Sequence, residues 1–185
     1  MPKDNNAKFV LLGLLSHEPM TGYDIKKVMS LRMSYFWDLS YGQIYPTLEA
    51  LEKDGLVTKE VVIEERGPNR KVYSITEAGL EMLRKWLAEP ARKESHKYET
   101  LLKLYFGNQT PLDTSVKHIQ EFRARSAKNL EMMTLFEENL IESLSWNNDH
   151  FYMLLTVLLG KSTFKASIEW ADTAIKMLED RTRNR

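Results

Sequence analysis

Hydrogen-bonding and aromatic side chains gather at the start of one predicted helix, at Ser40, Gln43, Tyr45 and Pro46. The Gln43 amide can donate and accept at once, which suits a paired contact with the edge of an adenine base. Because the first residues of a recognition helix meet base edges, these four residues are candidates for DNA contact. Two plainer explanations stay open: Ser40 and Gln43 have the spacing of a capping box, and Tyr45 could pack on the preceding helix.

Cations and an amide surround a predicted turn further along the chain. Arg66, Asn69, Arg70 and Lys71 flank the turn residues Gly67-Pro68. Positive charges on a protruding turn favour contact with DNA phosphates or with the minor groove over a neutral loop. Arg70 is the first candidate among them.

Tyr23, Lys26 and Lys53 complete the set of candidate DNA contacts. Helical periodicity places each of them on an outward face, from which a lysine can clamp the DNA backbone. The alternative is an ordinary solvated helix face, the usual position of lysine in a folded protein.

A succession of helices and strands would position these residues. Helices are predicted over residues 7–16, 21–30 and 40–53, then strands over 56–65 and 71–75, then a fourth helix over 76–89. Thr21 is the predicted cap of the second helix and Ser40 that of the third, while Asp54-Gly55 ends the third helix. This order is typical of a winged helix-turn-helix, in which one helix enters the major groove of DNA and a hairpin lies beside it.

The rest of the chain is predicted to be helical. A short helix over residues 97–106 precedes a long helix that begins at Pro111 and a second long helix over 150–181. Two long helices joined by a short turn form an antiparallel hairpin. At roughly 30 residues and about 45 Å each, they carry more apolar surface than one small domain can cover, which predicts self-association. The residues assigned to dimerisation are Leu130, Met133, Phe136, Leu140, Leu155, Leu158, Trp170 and Ile175.

Composition narrows the classes of function. With 43% hydrophobic and 28% charged residues the chain is typical of a folded protein, and its lack of cysteine excludes disulfides and thiolate sites. The four histidines are scattered without metal-ligand spacing, and no glycine-rich phosphate loop or nucleophile elbow is present. We therefore expect no enzyme, no metal and no cofactor. The start of the chain lacks the apolar core of a signal peptide, so a cytoplasmic location is expected.

The charge balance is unusual for a nucleic-acid-binding protein. The 26 basic residues cancel the 26 acidic ones, whereas DNA-binding domains are often strongly basic. Any DNA affinity must then come from a few well-placed cations, doubled by a dimer. The neutral charge also supports an alternative, a ligand sensor or protein-interaction adaptor that keeps the winged helix without binding DNA.

Aromatic residues are numerous for a protein of this size and could line a pocket for a flat apolar effector. Ordinary core and dimer packing is the alternative. The aromatics concerned are Trp37, Trp86, Tyr98, Tyr105, Phe106, Trp146, Tyr152 and Trp170.

Four short motifs in the first half are distinctive: MTGYDI at residues 20–25, SYGQIYPTL at 40–48, LEKDGLV at 51–57 and YSITEAG at 73–79. They resemble the PadR family of bacterial transcriptional regulators, and the long helical tail resembles its larger, long-tailed branch. The resemblance implies a homodimer that represses promoters by binding inverted repeats and is released by a small molecule, which is a phenolic acid in the founding examples. The family's DNA-contacting positions correspond here to Ser40, Gln43, Tyr45, Pro46, Arg70 and Lys71.

Taken together, the sequence predicts a mainly α protein with a small β-hairpin. Residues 1–90 form a winged helix-turn-helix for DNA binding, and residues 91–185 form an antiparallel helical hairpin for dimerisation with a candidate effector site. The expected function is transcriptional regulation, as a repressor on palindromic operator DNA that is released by a small hydrophobic or aromatic effector.

Overall fold

A computed structural model of the chain describes residues 6–63, 69–93, 97–142 and 148–183. The chain divides into two units, Met1–Lys93 and Glu94–Arg185. The described residues are mainly helical and include a three-stranded antiparallel sheet. The predicted fold class is confirmed, and the predicted hairpin gains a third, very short strand.

The described residues of the first unit include four helices: α1 Ala7–Leu15, α2 Gly22–Arg32, α3 Tyr41–Lys53 and α4 Glu77–Leu87. Their apolar residues recur at helical spacing and meet in one core, where Leu11, Ile25 and Ile44 are fully buried. Burial of such a side chain stabilises the fold by about 1.5–3 kcal/mol relative to exposure. The core thereby fixes α2 and α3 against each other, which is the helix-turn-helix arrangement.

The end of α3 shows why the helix stops where the sequence predicted. Gly55 has a φ of 71°, a left-handed conformation that glycine adopts without steric cost. The Leu56 amide then donates to the Leu51 carbonyl at 2.9 Å, and the Gly55 amide donates to the Glu52 carbonyl at 3.0 Å. This pair of bonds is a Schellman motif, and it turns the chain directly from α3 into the sheet.

The sheet has the order β1-β3-β2, with β1 Met20–Thr21, β2 Val57–Val62 and β3 Arg70–Ile75. Val62 pairs with Arg70 at the open end of the β2–β3 hairpin, and Thr21 pairs with Val72 on the other side of β3. The sequence did not predict β1, because two residues are too short to show the alternation of a strand. Residues 64–65 of the predicted first strand and Gly67-Pro68 of the predicted turn lie outside the described residues.

Thr76 joins the sheet to α4. Its hydroxyl oxygen accepts from the Gly79 amide at 3.1 Å as an N-cap, and the hydroxyl donates to the Gly55 carbonyl at 2.8 Å. A Cβ atom on Gly79 would lie 2.1 Å from the Leu56 carbonyl oxygen, so only glycine fits this approach of helix and strand. The fourth helix is therefore fixed to the segment that follows the recognition helix.

The second unit contains α5 Glu99–Tyr105, a 3-10 turn at Gly107–Gln109, α6 Leu112–Glu142 and α7 Asn148–Arg183. Arg123 near the start of α6 pairs with Asp172 late in α7 at 2.5 Å, whereas Glu137 late in α6 pairs with Lys161 early in α7. These crossed positions show that the two helices run antiparallel, as predicted. With 31 and 36 residues they are about 46 and 54 Å long.

Among the described residues, no helix combines the length and the apolar character that a membrane crossing would require.

Candidate nucleic-acid interface

The first turn of α3 presents its polar residues to solvent. Ile44 and Leu48 point into the core, and Ser40, Gln43 and Pro46 are exposed. The periodicity of the helix therefore separates a packing face from an outward face, and the outward face carries the residues predicted to meet base edges.

Gln43 forms the predicted capping interaction with Ser40. Its side-chain oxygen accepts from the Ser40 amide at 3.1 Å and from the Ser40 hydroxyl at 3.0 Å. A bidentate contact with adenine needs that same oxygen as the acceptor for the base amino group, so it would require the cap to open. A single bond donated by the Gln43 side-chain nitrogen to a purine acceptor is compatible with the closed cap.

Tyr45 packs on α2, as the alternative explanation held, and yet remains available to a ligand. A Cβ atom on Gly22 would lie 2.6 Å from the Tyr45 ring, so the glycine in α2 makes room for this aromatic. Tyr45 is 43% exposed, and its ring lies 6.0 Å from the ring of Tyr41 in a stacked arrangement. Tyr45 thus joins the two helices at their exposed edge.

Pro46 lies inside α3, which continues through it as far as Lys53. Proline has no amide hydrogen, so it cannot donate to the carbonyl of Gly42 four residues earlier. Both residues are exposed. Pro46 therefore removes one regular helical hydrogen bond on the outward face of α3.

The candidates on the helix faces differ in their surroundings. Tyr23 and Lys53 are exposed. The Lys26 ammonium forms an ion pair with Asp38 at 2.6 Å, so the cation predicted to clamp the DNA backbone is already held by a carboxylate.

The base of the wing carries Asn69, Arg70 and Lys71, all exposed, while Arg66 lies outside the described residues. The pairing of β1 with β3 brings the start of α2 beside these cations. A hydrogen bond from the Thr21 side chain is the main cause that lowers the pKa of the Asp24 carboxyl, and the charges of Arg70 and Lys27 act in the same direction. Arg70 therefore lies within electrostatic reach of the helix-turn-helix.

A second ion pair was not expected from the sequence. Lys59 of β2 pairs with Glu52 of α3 at 2.6 Å, joining wing and recognition helix. The hydrogen bond with Glu52 is the main cause that raises the pKa of the Lys59 ammonium. These residues are seven positions apart in different elements, so no periodicity in the sequence could reveal the contact.

In the second unit the residues assigned to dimerisation fall into three groups. Met133 and Leu140 are buried by the unit itself, which leaves them no surface for a partner. Leu130, Phe136 and Ile175 are half-buried, whereas Leu155, Leu158 and Trp170 are exposed. Sequence periodicity identified an apolar stripe but could not separate the side chains that pack within the hairpin from those that face outward.

Several exposed apolar residues on α7 were not among those assigned to dimerisation. Phe151, Tyr152 and Leu159 lie at helical spacing with Leu155 and Leu158, and all five are exposed. We call this set the α7 apolar face. A large exposed apolar area is typical of an interaction surface.

Two of the candidate aromatic residues pack against other rings, one in each unit, whereas Tyr105 and Tyr152 are exposed. Trp86 stacks on Phe9 with ring centroids 4.4 Å apart, and Trp170 meets the edge of Phe122 at 5.5 Å. Trp146 lies outside the described residues. These contacts support the packing explanation for Trp86 and Trp170.

An open cavity of about 390 Å³ lies between α5 and the start of α6. Its apolar wall includes Leu102 and Phe106, and its polar groups include Ser115 and His118. A mostly apolar lining with a few polar groups is typical of small-molecule sites. No cluster of residues suited to holding a metal ion occurs in the part of the chain that the structure describes.

Comparison with known proteins identifies both halves of the chain. Residues 11–85 match the transcriptional regulator PadR-like family, and residues 96–179 match the virulence activator alpha C-terminal family. The PadR-like regulator BC1756 from Bacillus cereus is 30% identical, with a TM-score of 0.81 over 95% of this chain and 99% of that one.

Bacillus subtilis PadR, a negative transcriptional regulator, is 29% identical over 93% of this chain and 97% of that protein. Its structure in complex with operator DNA has a TM-score of 0.83 over 96% of this chain and 99% of that one, at 25% identity. Its structure with p-coumaric acid, at 23% identity and a TM-score of 0.71, shares the fold. The winged helix, the helical second unit and these relatives lead to one conclusion: the chain belongs to the PadR-like family of transcriptional regulators, which are not enzymes.

Proposed function

We propose that this regulator is a homodimeric repressor that binds a palindromic operator and is released by a small hydrophobic or aromatic effector. The observation that carries the proposal is the exposed first turn of α3 lying on the same unit as the wing cations Arg70 and Lys71. Bacillus subtilis PadR, named a negative regulator and solved with operator DNA, supports the same role.

The proposed division of labour on DNA follows from the surroundings of each residue. Gln43, Tyr45 and Pro46 would meet base edges, since they are exposed residues of α3. Asn69, Arg70 and Lys71 would contact the phosphate backbone beside it. Tyr23, Ser40 and Lys53 are placed at the edges of the same surface.

The proposed dimer forms through the second unit. The α7 apolar face remains exposed in the single chain, and a second copy could bury it through the same face, as in a two-fold symmetric interface. Leu155, Leu158 and Trp170 stay in this proposal, and Met133 and Leu140 leave it. A two-fold dimer places two recognition helices on half-sites about 10 base pairs apart, or a multiple of that spacing.

The proposed effector site is the cavity beside α5. Leu102 and Phe106 would cover the ring of a small aromatic ligand, while Ser115 and His118 would bond its polar groups. The structure of Bacillus subtilis PadR with p-coumaric acid indicates the class of compound to screen first.

Selection of bound duplexes from a random DNA library tests the repressor proposal. The full-length chain should enrich an inverted repeat, and added p-coumaric acid or related aromatics should reduce the yield of bound duplex. A matched selection with Arg70→Ala should enrich the same repeat from a smaller bound fraction. Enrichment of a single, non-repeated site would contradict the two-fold dimer.

The neutral charge and the pairing of Lys26 with Asp38 favour one second candidate, a winged-helix ligand sensor or adaptor without DNA binding. In that case the selection would enrich no sequence, and the protein would still bind aromatic ligands.

A further inference from the structure

Two cations that border the recognition helix are neutralised by carboxylates at its two ends. The Lys26 ammonium of α2 lies 2.6 Å from the carboxylate of Asp38, two residues before the Ser40 cap. The Lys59 ammonium of β2 lies 2.6 Å from the carboxylate of Glu52, in the last turn of α3. Each acidic residue thus holds a cation that belongs to the neighbouring element.

The environment of the two pairs distinguishes them from loose surface contacts. The side chains of Lys59 and Glu52 are 27% and 33% exposed. That of Lys26 is 21% exposed, and that of its partner Asp38 is 56% exposed. By contrast, the Arg84–Glu77 pair on α4 has side chains 64% and 82% exposed, at 3.2 Å. The two pairs that flank α3 are therefore shorter and less exposed than the Arg84–Glu77 pair, and Lys59–Glu52 is the more sheltered of the two.

A lysine held in this way contributes little to binding driven by phosphate. Sequence-independent affinity arises when a cation neutralises a phosphate and releases a condensed counterion. A lysine that is paired with a carboxylate must break that ion pair before it can bind a phosphate. The carboxylate then remains unpaired beside the negatively charged DNA. The ion pair then opposes phosphate contact and leaves hydrogen bonds to bases unaffected.

We propose that Asp38 and Glu52 are specificity-determining residues that hold Lys26 and Lys59 away from DNA phosphates. This inference rests on the proposed binding of operator DNA by α3 and the wing. The two carboxylates lower affinity for unrelated DNA, so the operator is selected over the rest of the duplex.

The test compares Glu52→Gln and Asp38→Asn with Glu77→Gln in the full-length chain. All three remove one negative charge from an ion pair in the same unit, but Glu77 pairs with Arg84 of its own helix and with neither Lys26 nor Lys59. Binding to a labelled duplex of unrelated sequence is titrated at several salt concentrations, and thermal unfolding of each variant is recorded.

We expect both flanking variants to bind unrelated duplex more tightly, with a slope of log affinity against log salt steeper by about 0.9 for each added phosphate contact. Each contact then costs about 3.5-fold extra affinity between about 50 and about 200 mM salt. Glu77→Gln should keep the wild-type slope. Adding Lys59→Gln to Glu52→Gln should return the slope to that of the wild type.

Three results would overturn the inference. If Glu52→Gln and Asp38→Asn have the same salt slope as Glu77→Gln, the two lysines do not contact phosphate when their carboxylate partners are removed. If the slope stays steep in the Lys59→Gln, Glu52→Gln double variant, the effect comes from the lost negative charge of Glu52 and not from a phosphate contact of Lys59. A lower unfolding temperature together with weaker binding would show that the pairs only brace α2 and β2 against α3.

Failure of the proposed function has a different signature. Wild type and variants that bind neither operator nor unrelated duplex would contradict both proposals, whereas wild-type binding with unchanged slopes contradicts only this one.

Discussion

The Gln43 side chain combines two roles that the sequence left as alternatives. Its oxygen closes the start of α3 by accepting from Ser40, while its nitrogen can still donate to a purine. The cap and the base contact are therefore compatible, provided that the base contact is a single donated hydrogen bond. This geometry separates the two roles experimentally.

Gln43→Glu should keep the cap and remove the donor. Glutamate is an accepted capping-box residue, and its charge is favourable at a helix N-terminus, so the unfolding temperature should not fall. Discrimination at one base pair should fall by about 0.5–1.5 kcal/mol, the net contribution of one hydrogen bond, measured on operator duplexes with single substitutions. If affinity falls equally for every duplex, Gln43 caps the helix and does not contact a base.

Arg70→Ala should weaken operator binding and flatten the salt dependence, because a cation at the base of the wing is expected to neutralise phosphate. The slope of log affinity against log salt should become shallower by about 0.9 for each lost contact. Arg84→Ala, which removes an exposed cation from α4, is the matched control. Equal slopes for the two variants would remove the phosphate role from Arg70.

At the scale of elements, the wing is positioned by close backbone contacts: β1 pairs with β3, and α4 approaches Leu56 at Gly79. The capping boxes of α2 and α3 and the glycine stop of α3 could be predicted because each signal lies within one short stretch of chain. Strand β1 could not, since its pairing with β3 is made across the fold. The Lys59–Glu52 ion pair could not be predicted either, because it also joins two different elements.

Gly79→Ala should destabilise the first unit. A Cβ atom there would lie 2.1 Å from the Leu56 carbonyl oxygen, and the required shift of α4 from the strand should cost about 1–3 kcal/mol of unfolding free energy. Gly13→Ala is the control, because no atom lies within 4 Å of its Cβ position. That variant should gain about 0.4–1 kcal/mol. Urea unfolding measures the free energy of unfolding of both variants. A Gly79→Ala protein as stable as wild type would contradict the close packing of Gly79 against Leu56.

At the scale of the whole molecule, the hairpin of α6 and α7 was predictable in direction and approximate length, but its outward face was not. A stripe of apolar residues in the sequence does not say whether the chain itself or a second copy buries it. Met133, with 1% of its surface exposed, packs within the unit, whereas Leu158 keeps 42% exposed. Only the packing of α6 against α7 shows that Met133 faces inward and Leu158 faces outward.

Leu155→Ser combined with Leu158→Ser should shift the protein from dimer to monomer, since it removes apolar surface from the α7 apolar face. Sedimentation at several concentrations measures the shift. Leu87→Ser replaces a leucine that is 65% exposed on α4 and should leave the assembly unchanged. A double variant that remains dimeric would move the interface elsewhere.

Deletion of residues 111–185 should give a monomeric head with weaker operator binding, because two recognition helices would no longer be joined. Sedimentation and DNA titration of the truncated chain measure both properties. A monomer that binds the full operator with unchanged affinity would contradict the dimeric mode of binding.

The most direct measurement is a fluorescence-anisotropy titration of the full-length protein on the intergenic DNA upstream of its own gene. It is run at two salt concentrations with excess unrelated competitor duplex. The account predicts binding that weakens with salt and survives the competitor. Binding that the competitor abolishes, or no binding at either salt concentration, would contradict an operator-specific regulator at this site.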